Sequence, residues 1–362
     1  MTRAHSLTEL AQRKRYVVEV ASRRYDLGSW RRTERLTGGV LNEVYLAETS
    51  RGNFVIRVNR VRRSMAEIQR LSSFLSYLGS RGLPVDELVP AADGRVAAEI
   101  DGELFSVHHC IRGSVYPSPR DVTGARITNM MKFLARYHSA SGRYRDDRKL
   151  AARDDTLPVM YTEDPDRLRE RLKNLPTTDR AVESAVNHAI DRVGSFFASG
   201  SYRKLKRTWI HGDFRCCNVA FDSDGVSGLF DWDLLCNGPR LFDVVVASND
   251  LARTIAGPLS RDPETWREEF AQHLAAYRKE TRRLGKDMNE SEVGSIPCLL
   301  LVDAILSGVF FALHLRRLPL KPGETASQRR QRSDRILSDS LNDLAAIDSL
   351  MASVDSNIFP DP

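Results

Sequence analysis

The sequence predicts an α+β fold in two parts, a small β-rich part over residues 1–110 and a larger, mainly helical part over 111–362. Three observations predict it. Paired strand signals joined by turn chemistry crowd the first hundred residues, apolar residues recur at helical spacing from Arg112 onward, and one short β island interrupts those helices. The 362 residues suit two domains and a sizeable core.

Leu7 to Tyr25 carries apolar residues at helical spacing and stops at Asp26-Leu27-Gly28. Val44 to Ala47 and Phe54 to Val58 read as strands about the Arg51-Gly52-Asn53 turn. Ser64 caps a helix that ends near Gly79. Val96 to Ile100 and Glu103 to His109 form a second hairpin on Asp101-Gly102, with a hinge at Val107 to Ile111. Helical patterns follow at 122–141, 164–172, 181–198, 241–252, 263–284, 290–315 and 328–351. The β island consists of Thr208 to Ile210, Val219 to Phe221 and Val226 to Phe230.

Composition excludes several classes. The five cysteines show no C-x-x-C spacing, which argues against a disulfide framework or zinc site and for a reducing, cytoplasmic setting. No apolar stretch follows the basic residues at the start, so no secretory signal is expected. Ile296 to Leu315 is long enough to span a bilayer, but Asp303 near its middle favours a buried core helix, so no membrane partner is expected. The net charge of +6 reads as solvated surface or attraction to anions; no basic, aromatic-interleaved stripe supports nucleic-acid binding. Asp303 and His314 share one predicted helix and either line an acceptor pocket or place Asp303 in a structural ion pair, the second being favoured. His108, His109 and His138 lack ligand spacing and read as core or hinge histidines.

The chemistry concentrates in His211-Gly212-Asp213-Phe214-Arg215-Cys216-Cys217-Asn218, followed by Phe230-Asp231-Trp232-Asp233. Phosphoryl transfer needs a base for the attacking hydroxyl, oxygen ligands for magnesium and a cradle for the nucleotide phosphates. An H-x-D-x-x-x-x-N loop supplies an Asp and an Asn that can fold back to one point, and a second Asp arrives from the next hairpin.

With Gly238-Pro239-Arg240-Leu241-Phe242-Asp243, this stretch resembles the aminoglycoside phosphotransferase and homoserine or choline kinase superfamily. Glu34 to Gly39 with Asn42 and Tyr45, Gly82-Leu83-Pro84-Val85, and Phe133 to His138 resemble further segments of it. The resemblance implies a bilobal, protein-kinase-like fold, with ATP and Mg2+ as cofactors and a small hydroxylated molecule as acceptor. Asp213 would be the base, His211 would structure its loop and Asp243 would brace it from behind. Asn218 and Asp231 would ligate magnesium, with Asp233 either a second metal contact or a surface acid. Gly38, Gly39 and Asn42 would lie near the phosphates, and the backbone around His109 and Cys110 would pair with adenine. Arg57 stands where the family carries a phosphate-clamping lysine, and Glu67 is the nearest substitute for its acidic partner. A kinase of protein Ser/Thr side chains and a non-catalytic nucleotide-binding module are the alternatives.

Overall fold

The computed structural model describes residues 7–36, 42–59, 64–116, 118–145, 169–170, 180–223, 225–316 and 325–352. The chain divides into two compact units. One comprises Met1–Ser114 with Tyr144–Leu150 and Ser227–Phe230, the other Val115–Arg143, Ala151–Val226 and Asp231–Pro362.

The first unit is a five-stranded antiparallel sheet with a helix on its face. Its strands are β1 (Trp30–Leu36), β2 (Glu43–Thr49), β3 (Gly52–Asn59), β4 (Ala97–Ile100) and β5 (Glu103–His109), in the order β1-β2-β3-β5-β4. Alternation along β2 buries Glu43, Tyr45, Ala47 and Thr49 on one face. Helix α1 (Leu7–Arg24) lays Val17, Val20 and Ala21 onto that face, against Tyr45, Ala47, Ile56, Val58, Phe105 and Val107. Each valine, isoleucine or phenylalanine among them contributes about 1.5–3 kcal/mol when removed from water. Arg13 then pins α1, forking onto Glu103 at 2.7 Å through both terminal nitrogens and reaching the buried Glu43 at 3.0 Å. Helix α2 (Met65–Ser80) starts on a capping box made by Ser64 and Glu67.

The second unit is helical. It contains α3 (Gly124–Ser141), α4 (Arg180–Ala198), α5 (Arg240–Ile255), α6 (Pro263–Arg283), α7 (Ile296–Asp303) and α8 (Ala326–Ala352). Helices α3 and α5 both pack on α6. The sequence suggests one helix over 290–315, and the structure corrects this. A short helix Glu290–Gly294 precedes α7, and α7 gives way to a π-helical stretch, Ala304–Phe310, before Phe311–Leu315. Among the described residues one segment, Ile296–Leu313, is long and apolar enough to cross a membrane, yet 78% of it is buried inside the fold. It is a core helix covered in part by α8. Strands β6 (Arg207–Ile210) and β9 (Cys236–Pro239) pair antiparallel, with Cys236 opposite Ile210. Between them in the chain come β7 (Val219–Asp222) and β8 (Gly225–Leu229), the latter belonging to the first unit from Ser227 onward.

Candidate active site

The β6–β9 ladder ends at Ile210 and Cys236, so the segments beyond those ends, His211 to Asn218 and Asp231 to Leu235, begin side by side. Gly212 makes their close approach possible. It sits at φ +81°, and a Cβ there would meet the Leu234 carbonyl oxygen at 2.4 Å. The His211 ring packs on Trp232, with centroids 4.8 Å apart.

Asp243, on the first turn of α5, holds the His211 segment from behind. Its carboxylate, wholly buried, accepts the backbone amides of His211 and Gly212, both at 2.8 Å, and His138 Nε2 at 3.1 Å. A carboxylate cannot donate here, so His138 carries its proton on Nε2 and its Nδ1 accepts from the Tyr277 hydroxyl at 2.9 Å. Burial lowers the His138 pKa, with the Asp243 hydrogen bond opposing it, in keeping with that neutral tautomer.

Asp213 faces the other way and is partly exposed. Both of its oxygens are held, Oδ1 by Arg215 Nε at 2.8 Å and Oδ2 by Asn218 Nδ2 at 3.1 Å. Asn218 also donates to the Asp213 carbonyl at 2.9 Å, so it folds back as the motif spacing requires and its remaining amide atom is an oxygen. Asp231 takes the left-handed conformation (φ 69°, ψ 64°), a strain of order 1 kcal/mol or more that clusters at functional turns. Asp233 follows in the 3-10 turn Trp232–Leu234, half-buried.

Although the Cys217 side chain reaches the surface, desolvation pushes its thiol up to about 12, assisted by the carboxylates of Asp213, Asp250 and Asp231 and opposed by Arg215. The His211–Trp232 contact brings Asp213, two residues after His211, and Asp231, one before Trp232, onto adjoining segments, and Asn218 folds back on Asp213.

Their donor set suits magnesium. It offers a carboxylate and an amide oxygen, both hard donors. Magnesium keeps several waters and is bound through one or two carboxylates plus substrate phosphates, so an open oxygen site of this kind fits it.

The sequence-derived residues of the first unit fall as follows. Gly38 and Gly39 lie outside the described residues. Asn42 precedes β2, and Arg57 is buried on β3 opposite Val44 and Ser106. Glu67 has a local task, closing the capping box through Ser64 N at 2.7 Å. The adenine-pairing expectation needs correction at two amides. His109 N–H already donates to the Glu87 carbonyl at 2.8 Å, and Cys110 N–H to the Asn53 carbonyl at 3.1 Å. The 164–172 helix falls almost wholly outside the described residues, as does the His314 side chain.

Sequence reasoning missed Arg215. Its terminal nitrogens reach Asp250 Oδ1 at 2.8 Å and Asp303 Oδ1 at 3.4 Å, while Asn249 Nδ2 donates to Asp303 Oδ2 at 2.7 Å. The expectation that Asp303 sits in an ion pair is met, and its partner is Arg215. Burial raises the Asp250 pKa, with Arg215 opposing the rise and Asp213 and Asp303 adding to it. The one signal available was a polar Asn249-Asp250 pair inside the apolar run from Val244 to Leu251.

The sequence model described as the phosphotransferase enzyme family, APH, matches residues 32–284. Homoserine kinase of Polaromonas naphthalenivorans (strain CJ2) is 27% identical over 229 residues, covering 62% of this chain and 67% of that one. Homoserine kinase of Neisseria meningitidis serogroup B is 28% identical over 234 residues, covering 64% and 70%. These matches span about two thirds of each relative's length. Among solved structures, amicoumacin kinase hAmiN in complex with AMP-PNP, Ca2+ and Ami superposes with a TM-score of 0.68 at 17% identity, over 93% of this chain and 96% of that one. A microcompartment-associated aminopropanol kinase gives 0.66 at 16% identity, over 93% and 98%. At such identities the two structures establish a shared fold.

Proposed function

The chain belongs to the phosphotransferase enzyme family, and from that premise we propose which residues carry its ATP-dependent transfer of phosphate to the hydroxyl of a small molecule. Asp213 takes the proton of the attacking hydroxyl. Asn218, through its side-chain oxygen, and Asp231 hold magnesium, with Asp233 as a further contact. Magnesium, when bound, neutralises charge on the phosphate oxygens of ATP. Asp243 and His211 fix the loop that presents the base. In the first unit Gly38, Gly39, Asn42 and Arg57 are assigned to ATP, and backbone groups of His108 to Ile111 other than the amides of His109 and Cys110 to the adenine.

The observation that carries this reading is the folding back of Asn218 onto Asp213, on a loop that packs through His211 against Trp232 of the Asp231 segment. A reacting alcohol beside Asp213 would then meet a base with both oxygens oriented. Catalysis comes from positioning and charge neutralisation, with little covalent work by the protein. The homoserine and aminopropanol kinases among the relatives and neighbours support a hydroxylated amine or amino acid as first acceptors to try. A reducing, cytoplasmic setting is proposed from an odd number of cysteines without C-x-x-C spacing.

The test is a panel of such acceptors incubated with purified protein, ATP and magnesium, read by ADP release and by mass of the phosphorylated product. Asp231→Asn should raise the magnesium concentration needed for half-maximal rate several-fold. An unchanged magnesium requirement would remove Asp231 from the metal site.

A further inference from the structure

A general base works only while one lone pair of its carboxylate stays aimed at the acceptor hydroxyl, and a free Asp side chain has rotamers that break that aim. Asn218 holds Oδ2 from within the motif. Oδ1 is held by Arg215, which sits at one of the positions the H-x-D-x-x-x-x-N pattern leaves open. Arg215 is itself fixed from behind, by Asp250 on α5 and by Asp303 at the end of α7. Asp303 is only 3% exposed and anchored in turn by Asn249, at the point where α7 passes into its π-helical stretch. A buried acid inside an apolar helix is costly unless paired, and a π-helical segment often marks a functional position. The guanidinium is planar and forks, so one side chain can hold three carboxylates in fixed relation where a lysine could not.

We infer that Arg215 is the positioning residue of the base, a clamp that fixes the Asp213 carboxylate against α5 and α7. The inference rests on Asp213 being the base. Arg215 acts through Asp213.

A double-mutant cycle tests it, with ADP release as the rate. Arg215→Ala should lower kcat about ten- to a hundredfold, the factor that one charge-assisted hydrogen bond supplies, and leave the KM for ATP within about twofold. In an Asp213→Ala background the same change should cost almost nothing more, because the group it orients is gone. Arg215→Lys keeps a cation among the carboxylates and serves if Arg215→Ala does not fold. It should melt within a few degrees of the parent and still lose several-fold in kcat. Free guanidinium at millimolar concentration should restore part of the Arg215→Ala rate. Additive losses in the cycle, or a rise in the KM for ATP without loss of kcat, would overturn the clamp. Full activity of Asp213→Ala would instead overturn the base assignment itself.

Discussion

The loop from His211 to Asn218 is held at two places, and the two holds have opposite charge patterns. Behind the loop, one carboxylate, Asp243, is wholly buried and gathers three nitrogen donors, from His211, Gly212 and His138. In front of it, one guanidinium, Arg215, is a fifth exposed and gathers three carboxylates, from Asp213, Asp250 and Asp303. The first arrangement satisfies every group it buries, so removing its centre leaves orphaned donors. The second crowds like charges in a site that burial has partly dried, which raises the Asp250 pKa. The rear hold is therefore where folding stability resides. The front hold keeps a reactive carboxylate in place at some expense to stability, as functional sites often do.

The largest effects test that division directly. Asp213→Ala should lower kcat about a hundred- to ten-thousandfold, the usual contribution of a general base, while the melting temperature stays level or rises as one of three crowded carboxylates leaves. A fall of several degrees would show Asp213 to be structural. Asp243→Ala should do the reverse in emphasis. With two buried amides and His138 left without their acceptor, it should lose about 3 kcal/mol or more in urea unfolding, and activity with it. A stable Asp243→Ala with normal turnover would dissolve the contrast.

How much of this could be read from the sequence depends on whether the signal is local. Asp213, Asn218, Asp231 and Asp243 were legible because short loops leave strand ends at fixed spacings, and the geometry follows within a few residues. Strand β1 was not. Trp30-Arg31-Arg32-Thr33-Glu34-Arg35-Leu36 is a largely exposed edge strand, its charges occupy both faces, and only its ladder with β2 defines it. The π-helical stretch was equally hidden, because Ala304 to Phe310 is apolar almost throughout and a uniform run carries no period. Arg215 escaped for a different reason. Its partners lie 35 and 88 residues away on two helices, and nothing in the loop's own spacing announces them.

Acidity should separate the two holds further. His138 is shifted below its ordinary value of 6.5, so its contribution to stability is complete above that value and is lost as pH falls below it. Asp250 is shifted above its ordinary 3.8, so its term runs the other way, favourable when protonated and lost as pH rises through its raised value. Urea unfolding from neutral pH downward should therefore show the parent losing stability below about pH 6.5 through His138 and through His273, whose buried imidazole has its pKa lowered to about 4. His138→Asn should be less stable at neutral pH and less dependent on pH below it. Asp250→Asn should match or exceed the parent at neutral pH and converge with it in acid. A parent and His138→Asn that stay parallel across this range would contradict the neutral, buried imidazole.

The smallest effect probes the far end of the rear hold. Tyr277 donates to His138 Nδ1, and with that nitrogen kept as acceptor the Nε2 proton stays on the Asp243 side. Burial raises the Tyr277 hydroxyl pKa, so it remains a donor throughout the working pH range. Tyr277→Phe removes one hydrogen bond and preserves the ring, which packs edge-on to His138 with centroids 5.7 Å apart. The loss of stability should be about 1 kcal/mol, the net worth of a single buried hydrogen bond. If Tyr277 also sets the tautomer, the nitrogen-15 shifts of His138 should move toward a mixture of the two neutral forms, and kcat should drop a few-fold with the KM for ATP unchanged. A change in melting temperature alone, with His138 shifts and kcat intact, would mean that Asp243 fixes the tautomer by itself and that the Tyr277 hydroxyl contributes only a stabilising hydrogen bond.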